Sequence, residues 1–209
     1  MNLKVPQNIY PLSRQSAIDQ LEFVPGIWVN GKYYWMHNSS EKVIFEEELI
    51  IKVKLELIHS KIRFSSIYVS SHSVHPKEIK VLGMYYFSNV NQDHLAFISP
   101  TDKKIFHISK NNIFLVNAQF KGELLKEYTT VPVWSAYTDQ IWSSVPAGTL
   151  KYQPMAKGPA ASILAVKMTI HSRETCKLNS WTISGSNKNE LLSMEQALLK
   201  NPLAFPFEK

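Results

Sequence analysis

The stretch from Glu48 to Ile58 constrains this chain more than any other. Leu49, Ile51, Val53, Leu55 and Leu57 alternate with Glu48, Ile50, Lys52, Lys54 and Glu56. A period of two sets all five odd residues on one face of a strand, whereas a helix would scatter them around its axis. The alternation predicts a strand over 48–58 with that face buried. Complete burial would contribute about 1.5–3 kcal/mol per side chain as an upper bound.

The rest of the chain repeats this pattern in shorter pieces. Ile27-Trp28-Val29-Asn30-Gly31-Lys32-Tyr33-Tyr34-Trp35 puts Asn-Gly between bulky β-formers, the pair a type I′ hairpin turn needs for its two positive φ angles. Further strands are expected at 62–70, 79–87, 94–99, 104–108, 112–120, 161–171 and 177–184, with turn residues such as Pro100-Thr101-Asp102 and Asn111-Asn112 between them. Strands at this spacing predict a mainly β chain, an antiparallel β-sandwich of jelly-roll or immunoglobulin-like kind. Ser16 and Asp19 have capping-box spacing and predict a short N-terminal helix over 16–22, stopped by Pro25. A C-terminal helix is expected over 188–200, capped by Asn187, striped by Leu191, Met194 and Leu198, and ended by Asn201-Pro202. The apolar tail Leu203–Phe207 is expected to fold back onto the sheet. Residues 1–209 read as a single β-rich domain, in which 143–159, rich in Pro and Gly yet partly apolar, forms a long ordered loop.

Several chemistries are excluded by spacing. Gly26 to Lys32 imitates a phosphate-binding loop, but Tyr33 stands where Ser or Thr would hold magnesium, and Ile-Trp-Val is too bulky to wrap a phosphate. Only 7 of 209 residues are glycine, which leaves no other place for such a loop. No nucleophile elbow is present, Ser39 to Lys42 lacks the companions of a Ser-x-x-Lys enzyme, and Glu46, Glu47 and Glu48 read as a solvated lead-in. The single Cys176 excludes an internal disulfide and a cysteine metal cage, and reads as a structural thiol. His72 and His75, three residues apart before Pro76, are half of a metal site at most. An alternative reading, a metal-dependent enzyme on a β-sandwich frame, would need His94 or His107 to join them. No cofactor is otherwise implied.

Charge placement says more than the total of +6. Residues 140–189 hold Lys151, Lys157, Lys167, Arg173, Lys177 and Lys188 against Glu174 alone, a net +5. Nearby Trp134, Tyr137, Trp142, Tyr152 and Trp181 interleave rings with these cations. Read as one strand, 133–143 would bring Trp134, Ala136, Thr138, Gln140 and Trp142 to one face, as a groove floor or as tryptophans sealing the sandwich end. The expectation is a non-catalytic binding or assembly module. Trp134, Trp142, Lys151, Tyr152 and Lys157 are its ligand-contacting residues, and its partner is a protein or an anionic or carbohydrate-like ligand. A weak nucleic-acid binder acting through the basic 140–189 region is a second alternative, disfavoured because no RNA-binding signature accompanies the cations, and self-association is the further expectation. Residues Met1 to Pro11 show no apolar leader and no run reaches membrane-spanning length, so the chain is expected in the cytoplasm.

Overall fold

The computed structural model describes residues 16–89, 93–110 and 112–200. The expected tail contact of Leu203–Phe207, the helix stop at Asn201-Pro202 and the segment Met1 to Pro11 lie outside them. A 3-10 helix, Ala17–Gln20, leads into β1 (Leu21–Val29) and β2 (Lys32–Trp35). There follow β3 (Glu41–Ile44), β4 (Leu49–His59), β5 (Ile62–Ser71), β6 (Lys77–Phe87), β7 (Leu95–Ser99), β8 (Lys104–Ser109) and β9 (Asn112–Phe120). The chain continues through β10 (Glu123–Leu124), β11 (Glu127–Pro132), β12 (Trp142–Ser144), β13 (Thr149–Leu150) and β14 (Met155–Lys157). It closes with β15 (Ala160–Ile170), β16 (Thr175–Gly185) and the helix α1 (Lys188–Lys200).

Two antiparallel sheets form the expected sandwich. The smaller runs β11-β15-β6-β1-β2 and the larger β14-β7-β8-β9-β16-β5-β4-β3, with β10 beside β9. Asn30 and Gly31 have φ of 49° and 76°, the two positive angles of the I′ turn joining β1 to β2. Ile27, Val81, Tyr85 and Leu164 of the small sheet meet Ile51, Ile67, Val116 and Leu178 of the large sheet in the main core. Two polar bridges cross that core: Tyr85 Oη lies 2.6 Å from Ser180 Oγ, and His107 Nε2 lies 2.7 Å from Ser162 Oγ. Full burial pushes the His107 imidazole down to about 3, a neutral ring at any physiological pH.

Each sheet also has a covered outer face. α1 lays Leu191 and Leu198 over Phe64, Phe106, Leu115 and Trp181 of the large sheet. Asn187 Oδ1 accepts from the Glu190 N–H at 3.0 Å, the expected cap. On the small sheet, Leu82, Met84, Ala161 and Ile163 lie under Ala136, Ile141, Trp142 and Leu150 of the connection between β11 and β14. Both faces are therefore buried over residues 79–85 of β6 and 160–165 of β15, stretches in which most residues are apolar.

Three expectations are corrected. Pro25 does not stop a helix; it lies inside β1, beyond the end of the β2 ladder, where its carbonyl accepts from Met36 N–H at 2.9 Å and its missing donor leaves nothing unpaired. Residues 133–143 are not a strand. Val133–Ser135 and Asp139–Ile141 are 3-10 turns, the second capped by Thr138, so Trp134 and Trp142 share no strand face. Only Leu49 and Ile51 of the alternating row are buried and Val53 half-buried, while Leu55 and Leu57 are 54% and 60% exposed. The row outruns its neighbours: β3 pairs with β4 only as far as Lys52, and β2, the edge strand of the facing sheet, ends at Trp35.

Candidate ligand-binding surface

The connection between β11 and β14 is the largest irregular feature of the fold, and three kinds of contact fix it. Trp28 Nε1 donates to Val145 O at 2.8 Å, with Gly148 packed against the Trp28 ring so closely that a Cβ there would fall 2.5 Å from it. Glu127 accepts from Leu150 N–H at 2.9 Å through one oxygen and holds Lys80 Nζ at 2.6 Å through the other. Thr129 Oγ1 donates to Lys151 O at 2.6 Å, and Thr130 Oγ1 to Gln153 O at 2.9 Å. Residues 151–159 therefore run alongside β11 rather than loosely over the surface.

The five expected ligand residues divide on this frame. Trp142 is 6% exposed, inside the cover, with its ring 5.5 Å from that of Tyr33. It seals the sheet, as the second of the two sequence readings had it. Trp134, on the first 3-10 turn, is 68% exposed and Tyr152 64% exposed. Lys151 and Lys157 are exposed beside Tyr152 and at the end of β14, and Met155 between them is half-exposed. Val133 N–H donates to Pro159 O at 2.9 Å, which sets Trp134 just past the end of this strip. Trp134, Lys157, Met155, Tyr152 and Lys151 thus follow one edge, where β11 of the small sheet approaches β14 of the large.

A second group beside it was missed in the sequence. Tyr33 Oη donates to Asp139 Oδ1 at 2.9 Å, and burial together with this carboxylate pushes the phenol up to about 12. Tyr137 stacks obliquely on His37 at 5.0 Å and shares a hydrogen bond with Tyr86; burial raises its phenol also. The sequence does hold a signal for half of this group, since Tyr33, Trp35 and His37 alternate. Nothing local says that Tyr137 and Asp139, ~100 residues later, come to them.

The four histidines of the alternative reading fall into two pairs. His72 and His75 are exposed just before β6 begins, whereas the His94 ring lies 4.3 Å from that of Phe87, at the far end of β6. That strand is eleven residues long, about 33 Å at 3.3 Å per residue. Among the described residues no three His, Cys, Asp or Glu side chains are placed to share a metal ion. The basic stretch is likewise dispersed: Lys167 pairs with Glu78 at 3.0 Å, Lys188 with Asp102 at 2.5 Å, and Lys177 sits 5.5 Å from the Tyr68 ring centre. Cys176 is buried. No helix among the described residues is long and apolar enough to cross a membrane.

No family model matches the chain, and no curated protein matches it. Among solved structures it is similar to a bacterial glucoamylase complexed with acarbose, at 10% identity and a TM-score of 0.50 over 88% of this chain. It is also similar to a polysaccharide lyase, at 9% identity and a TM-score of 0.46 over 82% of this chain. The chain spans 29% of the glucoamylase and 27% of the lyase. The first of these likenesses supports the β-sandwich fold.

Proposed function

We propose that this chain is a binding module without chemistry of its own, and that the strip Trp134, Lys157, Tyr152 and Lys151 takes a carbohydrate chain bearing negative charge. One observation carries the reading. Two large rings stand two-thirds exposed on backbone that is tied down by hydrogen bonds, beside two exposed lysines. A flat ring offers an apolar face to the C–H side of a pyranose, and desolvating it costs little conformational entropy because only two torsions are fixed. The lysines supply long-range attraction and charged hydrogen bonds to carboxylate or sulfate substituents. Trp142 has no part in contact; it holds the cover against the sheet. The bacterial glucoamylase is complexed with acarbose in its structure, and this chain matches 29% of its length, which is consistent with the reading.

Affinity electrophoresis tests it. Wild type and the double variant Trp134→Ala/Tyr152→Ala run through gels holding a neutral glucan, xylan, pectin or alginate. Retardation in the acidic gels is expected for wild type and is lost in the double variant. The melting temperature of the variant should stay within a few degrees of wild type, because exposed side chains contribute about 0.5 kcal/mol or less to stability. A wild-type protein that runs freely in every gel would sink the reading.

A further inference from the structure

The two sheets of the sandwich are unequal, and the mismatch leaves one strand edge without a neighbour. β3 pairs with β4 only from Leu49 to Lys52, after which Val53 N–H donates to Ser40 O at 2.8 Å. Beyond that point, among the described residues, no strand lies against β4 on this side. β5 occupies its other side as far as His59. Backbone groups of successive residues point to opposite edges. Since Val53 faces the β3 side, Leu55 and Leu57 also turn their N–H and C=O groups to the open edge. Their side chains are more than half exposed, and neighbouring Ile58 is 42% exposed. A groove of about 420 Å³ runs beside them, lined by Phe23, Pro25, Met36, Val53 and Leu55. Here β1 too extends past the end of β2, so both sheets stop short on the same flank.

Stable proteins shield such an edge with a bulge, a proline, inward-pointing charges or a covering loop. In β4 the register does shift, but only between Leu57 and His59, after the open residues. The charges, Lys52, Lys54 and Glu56, are on the opposite face from the leucines. We infer that this edge pairs with the same edge of a second copy of the chain, joining the two large sheets into one across a two-fold axis at Glu56. In that register Leu55 of each copy lies opposite Leu57 of the other. The four N–H and four C=O groups that face outward, two of each per copy, complete one another, while the four leucines cover each other on the inner face. On the outer face each Glu56, already ion-paired with Lys54 of its own strand, has the other copy's Lys54 as its diagonal neighbour, within reach of a long side chain. The two Glu56 carboxylates meet at the axis as a like-charge pair, and each is offset by two Lys54 ammoniums, its own and the other copy's, so the outer-face cluster is neutral overall. Pairing centred on Leu55 is barred, because the other copy's Leu57 would then need the place that Ser40 holds beside Val53.

The register makes the test specific. Glu56 of the two copies forms a non-hydrogen-bonded pair with Cβ atoms about 4.5–5.5 Å apart, close enough for a disulfide after small adjustment. Lys54 faces Ile58 instead. Under mild oxidation Glu56→Cys should cross-link into a covalent dimer, and Lys54→Cys should do so at least tenfold more slowly; Cys176 is buried and does not compete. Sedimentation velocity of the wild-type chain from micromolar to millimolar concentration should show a monomer–dimer equilibrium. Leu57→Pro removes only an outward-facing N–H, which an edge strand tolerates, and should be monomeric throughout. A wild-type protein that stays monomeric, a dimer that survives Leu57→Pro, or equal cross-linking of the two cysteine variants would each overturn the inference.

Discussion

The two outer faces of the sandwich are covered in opposite ways. Over the large sheet lies α1, a regular amphipathic helix pinned at its centre by Glu195. That carboxylate is fully buried, accepts from Asn117 Nδ2 at 2.7 Å and Trp181 Nε1 at 3.1 Å, and pairs with Lys104. Over the small sheet lies an irregular cover of two 3-10 turns and two short strands, pinned at its margins by Trp28, Tyr33 and Glu127. The helix satisfies its own backbone and spends its side chains on packing. The irregular cover must satisfy its backbone through side chains from the sheet, and it leaves Trp134, Tyr137 and Tyr152 exposed on its surface and margin. Regularity thus goes with burial, and irregularity with rings presented to solvent from a fixed frame, the usual placing of binding residues on a scaffold.

The comparison breaks most sharply at the two pins. Removing Glu195 leaves Asn117, Trp181 and Lys104 without their shared acceptor, so Glu195→Ala should lower stability by about 3–5 kcal/mol in urea unfolding. On the other face Trp142→Ala opens a cavity beneath the cover and should cost a similar amount, about 3–5 kcal/mol. If Trp142→Ala proved harmless, the irregular cover would be a loosely held flap rather than a packed layer. Proteolysis and urea unfolding of both variants decide this.

Between the covers, the sheet-to-sheet interface has its own signature. His107 keeps its proton off when folded, with its pKa lowered to about 3, whereas in the unfolded chain it titrates near the ordinary 6.5. Burial lowers His94 as well. Below pH ~6.5 the unfolded state takes up protons that the folded state refuses, so stability falls with acidity by about 1.4 kcal/mol per pH unit for His107 alone. The contribution is fully present above pH ~6.5 and is lost as pH falls towards 3. Chemical unfolding at pH 7, 6 and 5 should show this slope, and His107→Gln should flatten it. A slope unchanged in His107→Gln would mean that the cross-sheet imidazole is not the group responsible.

A smaller effect sharpens the account of the cover itself. Gly148 has φ of +60° and touches the Trp28 ring, so Gly148→Ala should lower stability by about 1–3 kcal/mol, with local opening around Trp28. Hydrogen exchange at Val145 to Leu150 reads it directly. Faster exchange confined to this segment is expected, and exchange raised equally under α1 would show that the two covers are not independent.

How much of this the sequence disclosed follows the same division. Strands and helix were legible because their periods of 2 and 3.6 are written in adjacent residues, as at Leu49–Val53 and Leu191–Leu198. The hairpin at Asn30-Gly31 was legible because its backbone demands are specific to those residues. Period alone could not say how far the opposing sheet reaches, which is why Leu55 and Leu57 were expected inside and lie outside. Residues 133–143 carry alternating polar and aromatic residues, yet Thr138 caps a 3-10 turn and local hydrogen bonding wins over strand propensity. Trp134 and Trp142 were singled out together on composition. Only the tertiary fold separates them, one ring to solvent and one to the core.

The direct test of the central claim uses that separation. Fluorescence of the wild-type chain is titrated with an acidic polysaccharide that retards it in gels, beside Trp134→Phe and Trp142→Phe. An exposed indole that meets the ligand changes its emission, whereas a buried one does not. The account predicts a saturating shift that persists in Trp142→Phe and disappears in Trp134→Phe. A shift that persists in Trp134→Phe and disappears in Trp142→Phe would place the ligand elsewhere and contradict it.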